Sequence, residues 1–264
     1  MKKDEKHIHT REILNNDRLP VLLTCPHGGR VEFTPSREDS VNCPTGQFRK
    51  RSDTNTIEVT EGIALNILRM GNREVYRTIG IADRSFIDFN REPECAYATS
   101  SDQFGKHLYD EYHENIAKTI KKMRYRNRQG LCFLFDIHGT DNTDAQLFFG
   151  TDARINPNKS TICGLLDRNP RALWDENTGL LKLLQDKGYS TIPRNIHDQE
   201  HPSFDGGLTV TKYGGCDANP RIEAIQCEIA SELRERSNRL KFTVDMAECI
   251  LKFIKPYTLG FDYS

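Results

Sequence analysis

Residues 133–140, Phe-Leu-Phe-Asp-Ile-His-Gly-Thr, form the stretch on which the interpretation of the chain depends. An apolar run of strand length ends here in Asp-x-His-Gly, a pattern typical of a buried strand. α/β proteins bind ligands in the crevice at the carboxyl ends of such strands. Asp136 and His138 are two residues apart and share one face of the strand. His138 is therefore a candidate metal ligand, although a histidine merely hydrogen-bonded to a nearby carboxylate would give the same pattern.

A second stretch has the same design. Residues 21–29, Val-Leu-Leu-Thr-Cys-Pro-His-Gly-Gly, are a short apolar run that ends in His27 followed by glycine. Glycine after each histidine permits close approach of the backbone to a ligand. Two imidazoles at two strand ends predict a metal site, since catalytic zinc commonly has two histidines and a carboxylate as ligands.

Helical and strand patterns alternate along the rest of the chain. The predicted strands are 20–25, 75–79, 131–137, 146–149 and 222–229, the helices are 52–71, 105–126, 173–186 and 240–254, and the long loops are 30–52 and 195–221. This alternation predicts an α/β fold, a three-layer αβα sandwich with a mixed, mostly parallel sheet. We expect an irregular lead-in over 1–19 and a single domain over 20–264.

Composition narrows the functional classes. The 264 residues carry a formal net charge of −1, with 36% hydrophobic and 28% charged residues. Without a long basic block, nucleic acid is not an expected partner. No apolar run reaches the roughly 18 residues of a membrane span, and the charged N-terminal segment does not resemble a secretory signal. Eight single cysteines without a Cys-x-x-Cys pair predict a reduced, cytoplasmic protein.

Two carboxylates compete for the third ligand position. Glu32 lies in the loop after His27, and Asp53 lies at a predicted helix start. A solvated loop carboxylate is the alternative for Glu32, and an ordinary helix cap is the alternative for Asp53. The residue pattern alone leaves the choice open.

Glu228 lies in an otherwise apolar predicted strand. A charged group there is rarely buried unless it is paired or functional. It predicts either a general base that deprotonates an attacking water or one half of a buried salt bridge.

An arginine-rich turn follows the strand predicted at 75–79. Arg84 and Arg91 could bind a carboxylate in a bidentate manner, and Asn90 could add a neutral hydrogen bond. An acidic substrate and internal ion pairs with neighbouring aspartates both fit this pattern.

Together these segments resemble the N-formylglutamate amidohydrolase family over residues 20–235. The segments are Pro26-His27-Gly28-Gly29, Ser52-Asp53-Thr54, Arg84-x-x-Ile87-Asp88-x-Asn90-Arg91, Asp136-Ile137-His138-Gly139 and Gln226-x-Glu228-Ile229. The resemblance implies a zinc exopeptidase-like fold of the carboxypeptidase and aspartoacylase type. It also implies functional residues: His27 and His138 as metal ligands, Glu228 as general acid/base, and Arg84, Asn90 and Arg91 as anchors for an anionic substrate.

The third ligand follows from a similar group, the zinc-dependent cell-wall amidases, whose acidic ligand opens the helix after the first histidine loop. Asp53 matches that position, and Glu32 is kept in reserve. Carboxypeptidase-like enzymes place a glutamate three residues after the first histidine, where this chain has Arg30.

The resulting hypothesis is a hydrolase with one zinc ion per chain that cleaves a linear amide C–N bond of an N-acyl acidic amino acid, with N-formyl among the candidate acyl groups. One rival hypothesis is an amidase or peptidase acting on a peptide-like polymer, such as cell-wall peptide or poly-glutamate. The other is a non-catalytic relative that binds an anionic ligand.

Overall fold

The computed structural model describes residues 8–9, 18–37, 43, 48–98, 102–153, 160–215 and 222–258. The strands are β1 (Ile8–His9), β2 (Arg18–Cys25), β3 (Glu74–Gly80), β4 (Phe133–Thr140), β5 (Leu147–Gly150), β6 (Thr191–Ile192) and β7 (Glu223–Ala230). The helices are α1 (Thr56–Gly71), α2 (Pro93–Ala96), α3 (Gln103–Arg126), α4 (Cys163–Arg168), α5 (Leu180–Asp186), α6 (Leu208–Tyr213), α7 (Ser231–Arg234) and α8 (Arg236–Ile254), with 3-10 turns at Ala172–Trp174 and Lys255–Tyr257.

The strands form one mixed sheet in the order β1-β3-β2-β4-β7-β5-β6. The central strands β3, β2, β4 and β7 are parallel to their neighbours in this series, and β1 and β5 join it in antiparallel orientation. Helices pack on both faces of the sheet, so the predicted three-layer α/β fold is confirmed.

Alternation along the central strands separates two cores and determines where the polar residues lie. Phe133, Phe135 and Ile137 of β4 belong to the core shared with α1, α5 and α8. Leu134 belongs to the opposite core, against α3 and α6. Because side chains alternate along a strand, Asp136 and His138 follow Leu134 on the α3 side. The candidate site therefore lies on one defined face of the sheet.

Some predicted boundaries are wrong. The sequence predicts a helix over 173–186, but the Asp175 side chain accepts hydrogen bonds from the backbone N–H groups of Asn177 and Thr178. This turn breaks the segment into the 3-10 turn and α5. Likewise, the loop predicted at 195–221 contains α6.

The expected lead-in over 1–19 contains regular structure in its described residues. Ile8–His9 pairs with β3, and β2 begins at Arg18. The remaining residues of this lead-in, most of 38–47 in the long loop, and Cys216 lie outside the described part of the chain.

The expectation that the cysteines are reduced is wrong in part. Cys43 and Cys95 form a disulfide with a Cα–Cα distance of 5.0 Å, and Cys163 is also disulfide-bonded. The free cysteines of the described residues are all buried: Cys25, Cys132, Cys227 and Cys249. Since disulfides are typical of oxidising compartments, cysteine usage no longer supports a cytoplasmic location. Within the described ranges, the helices are too short or too polar to cross a membrane.

Gly29 is required by packing against the protein's own backbone. A Cβ atom at this position would lie 2.2 Å from the carbonyl carbon of Ile81 and 2.3 Å from the carbonyl oxygen of Ala82. Contact with the chain that follows β3 therefore explains the glycine at this position.

We expect Gly29→Ala to lower the free energy of unfolding by at least about 2 kcal/mol, because backbone must move to relieve the overlap. Urea denaturation measures the loss. Gly188→Ala is the comparison, since a Cβ there has open space and only the positive φ of 91° opposes it. Equal unfolding free energies for Gly29→Ala and the unchanged protein would contradict the packing argument.

Candidate metal centre

Three buried side chains converge at the carboxyl ends of β2 and β4. These strands are parallel neighbours, with Thr24 paired to Asp136. His27 follows the end of β2, and His138 lies two residues beyond Asp136. Asp53 reaches the same point from the segment before α1, and its backbone N–H donates to the carbonyl of His27 at 2.9 Å. The predicted meeting of the two histidines is therefore what the structure shows.

The spacing of the three side chains fits one small cation. The two Nδ1 atoms of His27 and His138 are 3.1 Å apart. The Asp53 Oδ2 atom lies 3.5 Å from Nδ1 of His27 and 3.4 Å from Nδ1 of His138. Ligand atoms about 2.0–2.1 Å from an ion at tetrahedral angles are roughly 3.3–3.4 Å apart. The triangle therefore has the dimensions of one face of a tetrahedral zinc site.

The far nitrogens of both histidines are bound to buried carboxylates. His27 Nε2 lies 2.7 Å from Asp88 Oδ1, and His138 Nε2 lies 2.8 Å from Asp136 Oδ2. A carboxylate accepts only, so each Nε2 must carry the hydrogen and donate it. In the neutral imidazole, each Nδ1 then presents a lone pair to the other and to Asp53. A cation held between these three atoms would satisfy all of them, in the manner of a carboxylate–histidine–metal triad.

Neighbouring charges shift the pKa values of His138 and Asp53 in opposite directions. Burial alone would lower the pKa of His138, but the charge and hydrogen bond of Asp136, helped by Asp53, raise it well above the ordinary value. Burial alone would raise the pKa of Asp53, but its contacts with the two histidines lower it. Asp53 is therefore a carboxylate at neutral pH, and a proton competes with a metal ion for the cluster.

Asp53 does not cap α1. The cap residue of that helix is Asn55, without a side-chain cap bond. The Asp53 Oδ2 atom instead accepts a hydrogen bond from the backbone N–H of Gly139 at 3.0 Å. Glu32, the reserve candidate, is exposed and lies outside the cluster of possible ligands found among the described residues.

Glu228 is adjacent to the cluster because of strand register. It is the residue of β7 paired with His138 of β4, and it borders the same cavity. Among the described residues it forms no salt bridge, and its Oε1 accepts a hydrogen bond of 3.3 Å from Gln226. Burial raises the pKa of Glu228 to about 8 against the lowering effect of His138, and the charge of Asp53 adds to the rise. A carboxyl group of this kind can accept and return a proton near neutral pH.

Arg84 and Asn90 border the cavity, but each is bound within the protein. Arg84 Nε donates to Asp88 Oδ2 at 2.8 Å, and its Nη1 lies 3.6 Å from Asp53 Oδ1. Asn90 Oδ1 accepts from the backbone N–H of Thr209 at 2.8 Å. For Arg84, the internal ion pair is thus what the structure shows. Arg91 donates to the carbonyl of Asn90 at 2.8 Å and also borders the cavity. Anchoring of a substrate by these residues stays a prediction.

The sequence did not indicate that Asp88 and Arg37 support the candidate metal centre. Asp88 is fully buried, and in the sequence it was interpreted only as a possible counter-charge for arginine. The structure places it between His27 and two arginines, with Arg37 Nη1 at 3.3 Å from its Oδ2. The Asp-x-Asn-Arg motif could have indicated Asp88. Arg37 lies in an aperiodic loop that carries no comparable signal.

The cluster opens into a cavity of about 880 Å³. This volume lies near the upper end of the roughly 300–1,000 Å³ typical of small-molecule sites. The walls of the cavity contain the three candidate ligands, the candidate base and two arginines: His27, Asp53, His138, Glu228, Arg49 and Arg91. Candidate ligands, a candidate base and cationic residues therefore line one cavity.

Comparison with known proteins relates this arrangement to a fold. The sequence matches no family model and no curated protein sequence. The structure is similar to N-formylglutamate amidohydrolase from Ralstonia eutropha JMP134, with a TM-score of 0.61 and 15% identity over 95% of this chain and 98% of that chain. It is also similar to a gene product of Agrobacterium tumefaciens, with a TM-score of 0.61 and 13% identity over 95% and 96% of the two chains. The resemblance predicted from the motifs is thus confirmed at the level of the fold, which is that of N-formylglutamate amidohydrolase.

Proposed function

We propose that this protein is a metal-dependent amidohydrolase that cleaves the linear amide bond of an N-acyl acidic amino acid. The observation that carries the proposal is the buried triangle of His27 Nδ1, His138 Nδ1 and Asp53 Oδ2, with sides of 3.1–3.5 Å. Two imidazoles and one carboxylate are a donor set that suits zinc, and we infer one zinc ion per chain.

The protein's own groups divide the remaining work. A bound zinc ion would supply a Lewis acid for the scissile carbonyl. Glu228 takes the proton of the attacking water and returns it to the departing amine, for which its raised pKa is suited. Asp88 and Asp136 hold the imidazoles in the orientation that directs both Nδ1 atoms inward.

Substrate orientation depends on the cationic wall of the cavity. Arg91 would hold the α-carboxylate of the substrate so that the amide carbonyl meets the metal. The name of the similar structure, N-formylglutamate amidohydrolase, supports an acidic N-acyl amino acid as the substrate. The size of the cavity favours a second candidate, a peptide-like substrate with more than one residue.

Metal content and substrate range test this proposal together. We expect purified protein to hold about one zinc per chain by elemental analysis and to hydrolyse an N-formyl or N-acetyl acidic amino acid. Chelation should lower kcat/KM at least about 100-fold, with recovery on adding zinc, because the metal polarises the carbonyl.

Activity that survives complete metal removal would contradict the proposal. Metal-loaded protein that cleaves short glutamyl peptides but not single N-acyl amino acids would favour the second candidate. Metal-loaded protein inert toward both classes would leave the anion-binding alternative.

A further inference from the structure

A substrate with two carboxylates needs two cationic anchors. Of the two arginines predicted to bind substrate, Arg84 and Arg91, the first is already paired with an aspartate of the protein. Among the described residues, three arginines border the cavity: Arg49, Arg84 and Arg91. Arg84 is paired with Asp88 at 2.8 Å and is also near Asp53. If Arg91 holds one carboxylate, Arg49 is the described arginine of the cavity wall that is left for the other.

Arg49 has no acidic partner within the described part of the chain. Its side chain is exposed and donates a hydrogen bond of 3.1 Å to the carbonyl of Phe48. Burial lowers the pKa of Arg91 against the raising effect of Asp88, and the positive charges of Arg84 and Arg49 add to the lowering. Cations that repel one another across a cavity wall create a potential that an anionic ligand relieves.

The backbone of Arg49 is fixed by a chain of contacts that begins at the metal centre. Asp88, which binds His27, also pairs with the buried Arg37 at 3.3 Å. Arg37 donates to the backbone carbonyl of Arg49 and lies over the ring of Phe48, 4.6 Å from its centroid. The same carboxylate therefore holds a metal-ligand candidate and, through Arg37, the segment that delivers the Arg49 cation.

We propose that Arg49 is a specificity-determining residue that binds the side-chain carboxylate of the substrate, while Arg91 binds the α-carboxylate. This inference rests on the proposed function and deepens it, because it assigns the preference for an acidic side chain to a residue that no sequence motif indicates.

Arg49→Gln tests the assignment by comparing N-formyl-L-glutamate with N-formyl-L-glutamine, which differ only in the charge of the side chain. A charge-assisted hydrogen bond contributes about 1.5–3 kcal/mol, so we expect kcat/KM for the glutamate substrate to fall roughly 10- to 100-fold, mainly through KM. The value of kcat/KM for the glutamine substrate should change less than about threefold, because this substrate lacks the charge that Arg49 pairs with.

Arg51→Gln is the matched control. Arg51 lies in the same segment but pairs with Asp141 and borders a neighbouring cavity instead of the metal cavity. This variant should leave kcat/KM for both substrates unchanged. Equal losses on both substrates in Arg49→Gln, or the same selective loss in Arg51→Gln, would overturn the assignment.

Binding of non-hydrolysable acids separates this inference from the proposed function. By calorimetry with zinc-loaded protein, glutarate should bind at least about tenfold more tightly than butyrate, and Arg49→Gln should abolish that preference. If no N-acyl amino acid is hydrolysed but the preference is lost in the variant, the hydrolase proposal fails while the anion site stands. If the variant keeps the preference, the assignment of Arg49 fails whatever the activity.

Discussion

Replacing Glu228 by glutamine is expected to lower kcat about 10²- to 10⁴-fold, the usual contribution of a general base, and to leave the metal content unchanged. The amide cannot accept a proton from the attacking water. It keeps the shape of the side chain and an oxygen that can still accept the hydrogen bond from Gln226. Kinetics on the best substrate of the screen, together with elemental analysis of the same sample, measures the two effects.

Glu92→Gln controls for a general change in the charge of the cavity. Glu92 is an exposed carboxylate that borders the same cavity and does not belong to the His27–Asp53–His138 triangle. We expect less than a threefold change in kcat for this variant. Glu228→Gln that holds its metal and keeps kcat within tenfold of the unchanged protein would remove Glu228 from the mechanism.

The second large effect concerns the metal itself. Asp53→Asn should weaken zinc binding by more than the roughly 10- to 100-fold that follows loss of an outer-shell partner, because it removes the one carboxylate of the triangle. Hydrolysis should fall in parallel. Competition with a chromophoric chelator measures the affinity directly and does not depend on turnover.

Glu32→Gln is the matched variant, since Glu32 is the exposed carboxylate that the sequence left as an alternative. It should bind zinc as the unchanged protein does. The reverse result, with zinc retained in Asp53→Asn and lost in Glu32→Gln, would mean that the loop rearranges around the ion and that the third ligand has been assigned to the wrong residue.

The parts of the site that could be predicted from sequence are those carried by the central strands. An apolar run that ends in histidine marks a strand end, and alternation within β4 determines which face His138 occupies. Asp136 shows why the two interpretations of that histidine are compatible: Nε2 is bound to the carboxylate, and Nδ1 faces Nδ1 of His27. The pattern could not reveal this, because it does not distinguish the two ring nitrogens.

The parts that could not be predicted depend on contacts between distant loops. Arg37 and Arg49 lie in a segment without periodicity, and their roles arise only when the chain folds back onto Asp88. The bridge between Cys43 and Cys95 escaped for a similar reason, because connectivity among singly spaced cysteines does not follow from sequence. The role of Arg84 could not be assigned either, because the same motif fits an arginine paired with an aspartate and an arginine that binds substrate.

The pairing of His138 with Glu228 across β4 and β7 limits which changes of sequence these two strands tolerate. Main-chain hydrogen bonds set the separation of these two side chains, so the distance is fixed by the ladder and does not depend on a flexible linker. Inserting or deleting one residue early in either strand would turn every later side chain to the opposite face. The rims of the cavity can therefore vary in length and composition, whereas these two strands can be altered only by substitution.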